Sequence, residues 1–316
     1  MKFVGVGPRP LAWATAVLIG LASARECSAQ HYGPAGPERD AMRRQLWLTP
    51  SADPAQSLRA TVFRPTNTTG RRLPLVIVNH GTDAATRRTV SMPVFRRISQ
   101  WFVDRGYAVV LPQRRGHGAT GGIYAEGQDT CRNPRHREMG NAAADDIEAV
   151  LGYMANQPFV DSSRITLVGV SSGAWASLAL AARNPPGVKL VVNFSGGRGA
   201  YAWGRAGEIC DPDQLAQASA IFGRTTRVPT VWFYAENDSY FGPHIAKRLH
   251  EAWTSAGGQA QLYLLPASGR EGHAIADADA GLRLWGPRLD PWLGGDRMVE
   301  RRTTAVALPR PRDKVN

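Results

Sequence analysis

Arg164-Ile165-Thr166-Leu167-Val168-Gly169-Val170-Ser171-Ser172-Gly173-Ala174-Trp175-Ala176-Ser177-Leu178-Ala179-Leu180-Ala181-Ala182 is the stretch that decides the fold. Its start is a β-branched apolar run of strand length, and its end is rich in alanine and leucine, which favour helix. Between them stands a serine at the centre of Gly-x-Ser-x-Gly. A strand that turns at once into a helix leaves room only for small residues around that serine and lifts its hydroxyl clear of the backbone. The helix then aims its free N–H groups and positive dipole end at the same spot. Five residues can fall into this pattern by chance, so the surrounding chain must carry the reading.

Outward from this elbow, strand-like apolar runs alternate with helical patterns. Upstream, 75–79 and 107–111 read as strands, with helices over 90–104 and 142–156. Downstream, 188–194, 229–234 and 261–265 read as strands, with helices over 244–256 and 274–293. The segment 58–64 precedes them all and predicts an antiparallel edge strand. Strands apolar on both faces and separated by helices predict an α/β fold, a mainly parallel central sheet covered by helices on both faces. Ligands in such a sheet bind beyond the carboxyl ends of the strands, so functional residues should follow strands directly.

Asp238 meets that condition in Ala235-Glu236-Asn237-Asp238, and His273 meets it in Gly272-His273, a short loop beyond Leu265. Glu236 is the rival acid; Asp238 is preferred because a carboxylate needs a few loop residues to curl back over the sheet. His244 and His250 fall in a helical pattern and are poor candidates for the base. Serine, acid and histidine then occur in the order Ser171, Asp238, His273, each after a later strand. A serine hydroxyl is a weak nucleophile at neutral pH. His273 would take its proton, and Asp238 would hold the imidazole tautomer and stabilise the imidazolium. Asn79-His80-Gly81-Thr82 follows the strand 75–79 and supplies an oxyanion loop. Backbone N–H groups of Thr82 and Ser172 are the expected donors, with Gly81 allowing a tight backbone and His80 in a supporting, hydrogen-bonding role.

These residues, with Arg115-Gly116-His117-Gly118 after a strand, resemble the α/β-hydrolase superfamily over most of 58–293. The nearest resemblance is to its secreted dienelactone-hydrolase-like and prolyl-oligopeptidase-like serine esterases. It implies hydrolysis through a Ser171–Asp238–His273 triad and an acyl-enzyme. Dienelactone hydrolases themselves use a cysteine nucleophile; serine at 171 favours general carboxylic esters. A small peptidase or amidase is the alternative within the fold, and an inactive hydrolase-fold binding protein is a third reading.

Segments 113–140 and 196–211 follow strands and should form a small loop cap at the mouth, too short for a helical lid. Tyr201 and Trp203 are candidates for lining an acyl pocket there or for packing under the loop. Arg114, Arg115, Arg132, Arg135 and Arg137 read as a solvated basic loop more readily than as a site for an acidic substrate. Nothing in the pattern requires a metal or an organic cofactor.

The ends of the chain are expected to lie outside the fold. Residues 1–29 read as a secretory signal, with Lys2 and Arg9, an apolar run over 11–22 and small residues for cleavage. That run is short for a membrane span, so no stable span is expected once it is removed. Residues 30–295 form the hydrolase domain, and 296–316 a basic, aperiodic tail expected to be disordered. A periplasmic or secreted location leaves Cys131 and Cys210 as an even pair in an oxidising compartment, predicting a disulfide that clamps the two cap loops. The leader and tail hold much of the formal net charge of +12, and the core keeps +7. Its arginines are scattered without an aromatic-basic stripe, which excludes nucleic-acid binding and leaves a small-molecule ester as the expected partner. Oligomeric state is not legible.

Overall fold

A computed structural model describes residues 1–2, 31–66, 68, 70–127 and 131–294. The chain divides into two units, Met1–Gln30 and His31–Asn316. The expected leader, apart from Met1 and Lys2, and the expected tail lie outside the described residues.

Nine strands in the second unit form one sheet: β1 (Gly33–Pro34), β2 (Gln45–Pro50), β3 (Ser57–Phe63), β4 (Leu73–Asn79), β5 (Ala108–Gln113), β6 (Val160–Val170), β7 (Val188–Phe194), β8 (Thr230–Ala235) and β9 (Ala260–Leu265). Their order is β1-β2-β3-β5-β4-β6-β7-β8-β9. β1, β2 and β3 join antiparallel, as do β3 and β5, while every pair from β5 through β4 to β9 is parallel. The helices are α1 (Arg96–Val103), α2 (His136–Ala155), α3 (Ser172–Ala181), α4 (Pro212–Thr225), α5 (Pro243–Ser255) and α6 (Asp279–Leu293).

The period-2 alternation of a strand explains the two-sided core. On β4, Leu75 and Ile77 pack into one cluster with α2, α3, α4 and α5. Val76 and Val78, on the opposite face, pack with α1 and α6. All ten residues of α3 are buried, as a helix at the centre of a layered fold must be. Among the described residues no helix is long and apolar enough to cross a membrane.

Several elements differ from the sequence reading: β1 and β2 had no predicted counterpart, and α6 starts at Asp279 rather than 274. The antiparallel strand over 58–64 is not an edge, because β2 pairs along its full length and β1 lies outside β2. α1 begins at Arg96 rather than 90, since Pro93 disfavours helix at the residue before it and Phe95 enters the helix with a left-handed φ of 33°. α2 starts six residues earlier than the 142–156 pattern, at His136. α4 had no predicted counterpart, although Asp211-Pro212 is a legible start: the Asp211 side chain accepts the Gln214 N–H, and proline occupies the first turn.

Candidate active site

β6 lies in the interior of the sheet, and the chain leaves it through Ser171, whose φ of 55° and ψ of −125° are unusual for any residue with a Cβ. Such a conformation costs on the order of 1–3 kcal/mol and persists only where the surroundings impose it. Here they do. The Ser171 N–H donates to the Phe194 carbonyl on β7, and the Ser171 carbonyl accepts from Ala174 and Trp175 in the first turn of α3. Gly173 makes this crossing possible, because a Cβ there would stand 2.2 Å from the Asn79 carbonyl oxygen at the end of β4. Gly81 runs over the serine itself; a Cβ on it would lie 3.0 Å from Ser171 Cβ and 3.6 Å from Ser171 Oγ. The oxyanion loop and the elbow are therefore in contact.

The acid and the histidine arrive from β8 and β9. Asp238 Oδ1 and Oδ2 lie 3.1 and 3.2 Å from His273 Nδ1. Asp238 Oδ1 also accepts the Tyr240 and Phe241 N–H groups at 2.9 Å each. Burial alone would raise the Asp238 pKa, but the hydrogen bond and charge of His273 and the Phe241 N–H bring it below the ordinary value. A carboxylate so held stays ionised and keeps a proton on His273 Nδ1, which leaves Nε2 as the basic nitrogen. The His273 ring rests beside Tyr240 and Phe241, and its backbone N–H is tied to Glu271. Glu236, the rival acid, is exposed, His244 is exposed, and His250 bonds the Ala260 carbonyl far from this pair.

The structure thus joins His273 to Asp238 by hydrogen bond and Ser171 to the oxyanion loop by contact. Among the described residues Ser171 Oγ makes no hydrogen bond, to His273 or to any other group. Serine–histidine links in sites of this kind commonly tighten only with substrate in place. The Thr82 and Ser172 N–H groups, the expected oxyanion donors, take no backbone partner.

Around the oxyanion loop the sequence reading needs correction. Arg114 and Arg115 are not solvated. Arg114 is 0% exposed and pairs with Glu126, and Arg115 pairs with buried Asp146. Arg132, Arg135 and Arg137 are exposed, as a solvated loop requires. The sequence reading also missed Glu126 and Arg198 as site neighbours and gave His117 no role. All three are buried beside Arg114. The one signal available was an acid, Glu126, set among arginines in a loop that follows a strand.

Cys131 and Cys210 form a disulfide with an S–S distance of 2.08 Å, joining the segments after β5 and β7. Tyr201 and Trp203 are 62% and 69% exposed. At that exposure they do not pack under the loop. Among the described residues no cluster of histidine, cysteine and carboxylate side chains could hold a metal ion.

The sequence pattern of a family described as X-Pro dipeptidyl-peptidase (S15 family) matches residues 55–263, a range that takes in the oxyanion loop, Ser171 and Asp238 and stops short of His273. Among solved structures, the chain is similar to Porphyromonas gingivalis dipeptidyl peptidase 4, with a TM-score of 0.57 and 16% identity over 80% of this chain and 35% of that one. A Mycobacterium tuberculosis puromycin-hydrolyzing peptidase gives a TM-score of 0.57 and 17% identity over 79% of this chain and 40% of the other. Est1E from Butyrivibrio proteoclasticus gives 0.53 and 15% identity over 82% of this chain and 99% of its own. The chain therefore spans only 35–40% of the two peptidases' lengths. Identities this low speak for the fold alone, which with the strand order is the α/β-hydrolase fold. No curated protein sequence matches.

Proposed function

The chain belongs to the X-Pro dipeptidyl-peptidase (S15) family, and from that premise we propose that this serine hydrolase cleaves carboxylic esters through an acyl-enzyme intermediate. The observations that support the reaction type are the Asp238–His273 hydrogen bond after β8 and β9 and a strained Ser171 after β6 with Gly81 packed against it. In the proposed reaction Ser171 Oγ attacks the ester carbonyl while His273 Nε2 takes its proton. The oxyanion forms against the Thr82 and Ser172 N–H groups. His273 then returns the proton to the leaving alcohol, and water repeats the sequence to release the acid.

Two features support esters. The buried carboxylates beside the site are already engaged, Asp238 with His273 and Glu126 with two arginines, so neither is free to hold a peptide's α-ammonium group. The likeness to Est1E runs over 99% of that protein's length, whereas only 35–40% of the two peptidases is matched. Peptide hydrolysis is the second reading, favoured by the family description. A fluorophosphonate probe should label the wild type and not Ser171→Ala. Wild type should then turn over p-nitrophenyl acetate or butyrate with a higher kcat/KM than Xaa-Pro p-nitroanilides. A higher value on the anilides would replace the ester reading with the peptidase one, and an unlabelled wild type would remove both.

We also propose a periplasmic or extracellular location for the mature protein. The leader-like sequence and the Cys131–Cys210 bond support this location. Cell fractionation with mass spectrometry of the N-terminus should find a chain cleaved near residue 29; an intact leader in the cytosol would overturn it.

A further inference from the structure

The side chains that hold the oxyanion loop form a hydrogen-bond chain in which every direction can be assigned. Arg114 lies at its centre. Its Nε donates to Glu126 Oε1 at 2.6 Å, its Nη1 to the His80 carbonyl at 2.7 Å, and its Nη2 to Thr82 Oγ1 and Glu126 Oε2, both at 3.3 Å. The Arg114 backbone N–H donates to His80 Nε2 at 3.2 Å. Because Nε2 accepts, the proton of a neutral His80 is on Nδ1, which donates to the Gly81 carbonyl at 2.7 Å. Burial, then the Arg114 charge, hold the His80 pKa well below its usual value, which keeps the ring neutral.

His117 completes the pattern. Its Nδ1 faces two carbonyls, those of Arg114 and Arg115, and must donate to them. Its bare Nε2 then accepts the Thr82 hydroxyl proton at 3.0 Å. Burial and the Arg114 charge lower its pKa to about 4, so this arrangement holds at neutral pH. The Thr82 oxygen is left with lone pairs for Ser172 Oγ–H at 3.0 Å and for Arg114 Nη2. Thr82 is thereby bonded to the elbow on one side and to the arginine on the other.

The consequence follows from peptide planarity. The Gly81 carbonyl and the Thr82 N–H belong to one rigid plane and point in opposite directions. Fixing the carbonyl with His80 Nδ1–H fixes where the Thr82 N–H is aimed. We propose that Glu126 is a positioning residue: by clamping Arg114 it sets the direction of the Thr82 N–H, so that the cap loops hold the oxyanion hole in register. Glu126 is itself gripped from the second cap segment, where Arg198 Nη1 reaches Oε2 at 3.0 Å and Nη2 reaches the Glu126 carbonyl at 2.6 Å. The charges of Arg114 and Arg198 overcome the effect of burial and hold the Glu126 pKa down to about 2, so the carboxylate is ionised across the working range. The inference rests on the hydrolase reading above.

The test is steady-state kinetics on a p-nitrophenyl ester, together with inhibition by a trifluoromethyl ketone, whose adduct places an oxyanion in the hole. Glu126→Gln keeps the shape and removes the charge. Because it strands two buried guanidinium groups, Glu126→Gln/Arg198→Met is made beside it to restore the original charge balance. Removal of one oxyanion donor lowers kcat by about 100-fold or more, and a misaimed donor should lose roughly 10- to 100-fold. We expect that loss in kcat with KM within threefold of wild type, and a parallel loss in affinity for the ketone. Thr82→Val leaves every ion paired and removes only the hydroxyl latch. It should lose about 10-fold in kcat, and it decides the matter if neither Glu126 variant folds. A kcat within threefold of wild type in the folded variants, or a loss confined to KM, overturns the proposal and leaves Glu126 a structural or access residue. Failure of wild type to react with either the fluorophosphonate or the ester would instead bring down the hydrolase reading, and this proposal with it.

Discussion

The segments that follow β5 and β7 are joined by the Cys131–Cys210 bond, the Arg198–Glu126 pair and the His136–Cys210 hydrogen bond, yet they differ in what they bury. The first turns inward over its earlier part, where Arg114, His117 and Glu126 are buried and their polar side-chain atoms serve the oxyanion loop, while Arg132, Arg135 and Arg137 stay exposed. The second carries Arg198 into that same buried cluster and then, a few residues on, raises Tyr201 and Trp203 into solvent. A buried polar network is costly when incomplete, so the inward segment can tolerate few changes. Exposed aromatic side chains carry no such constraint. The contrast separates a buried polar support from an exposed aromatic face.

The largest effects should come from the most deeply held polar groups, and one loop tests this within a few residues. The Asp238 side chain is fully buried against His273, while Glu236 stands in solvent. Asp238→Asn should lower kcat by on the order of 10⁴-fold through the wrong imidazole tautomer. Glu236→Gln should stay within about threefold, as surface changes usually do. Equal losses in the two variants, measured as kcat on a p-nitrophenyl ester, would break the link between burial and role.

The disulfide is next. It closes a loop across a sequence separation of 79 residues and ties the inward segment to the outward one. Replacing both Cys131 and Cys210 with serine should remove about 2–4 kcal/mol of stability by urea unfolding. If the clamp also supports the Glu126–Arg198 contact, kcat should fall while KM changes less. A double variant as stable as wild type would show that the buried ions and the His136–Cys210 hydrogen bond hold the two segments together without the disulfide.

Acid should act on the inward segment in a defined window. The folded-state pKa of His117 is lowered to about 4 from 6.5, so an unfolded chain takes up this proton first as pH falls. Its contribution to stability is fully present above pH 6.5 and is lost as pH falls through about 4. Two and a half units correspond to roughly 3 kcal/mol. His117→Gln should flatten the fall in urea midpoint between pH 7 and pH 4.5. An unchanged slope would assign the acid sensitivity to His80 or His136, which burial also lowers.

The sheet, the order Ser171–Asp238–His273 and the position of the oxyanion loop were legible because strand and helix periods are local, and because residues after parallel strands meet at one edge. The same rule does not say which way a side chain in a long loop turns. Arg114 follows β5 directly and looks like any arginine of a basic loop. Its burial depends on Glu126, 12 positions later, and Glu126 in turn on Arg198, 72 positions beyond. No sequence period links residues at such separations. β1 and β2 were missed for a different reason. Both lie in the antiparallel end of the sheet, where only one face needs to be apolar, so a continuous apolar run was the wrong signal.

The smallest effects should fall on the outward segment, and they sharpen the comparison most. Trp203 is 69% exposed and adopts a left-handed φ of 54°, a conformation that tryptophan does not favour. Trp203→Ala removes no buried contact, so unfolding should shift by no more than about 0.5 kcal/mol. If Trp203 meets the substrate, its effect should be confined to preference among esters. KM for a butyrate or longer ester should rise by about two- to fivefold, with acetate unchanged and kcat preserved. Tyr201→Ala should behave alike. A fall in kcat on acetate would show that the exposed aromatic segment also feeds back on the oxyanion loop through Arg198, and the division between aiming and contact would then run through the second segment rather than between the two.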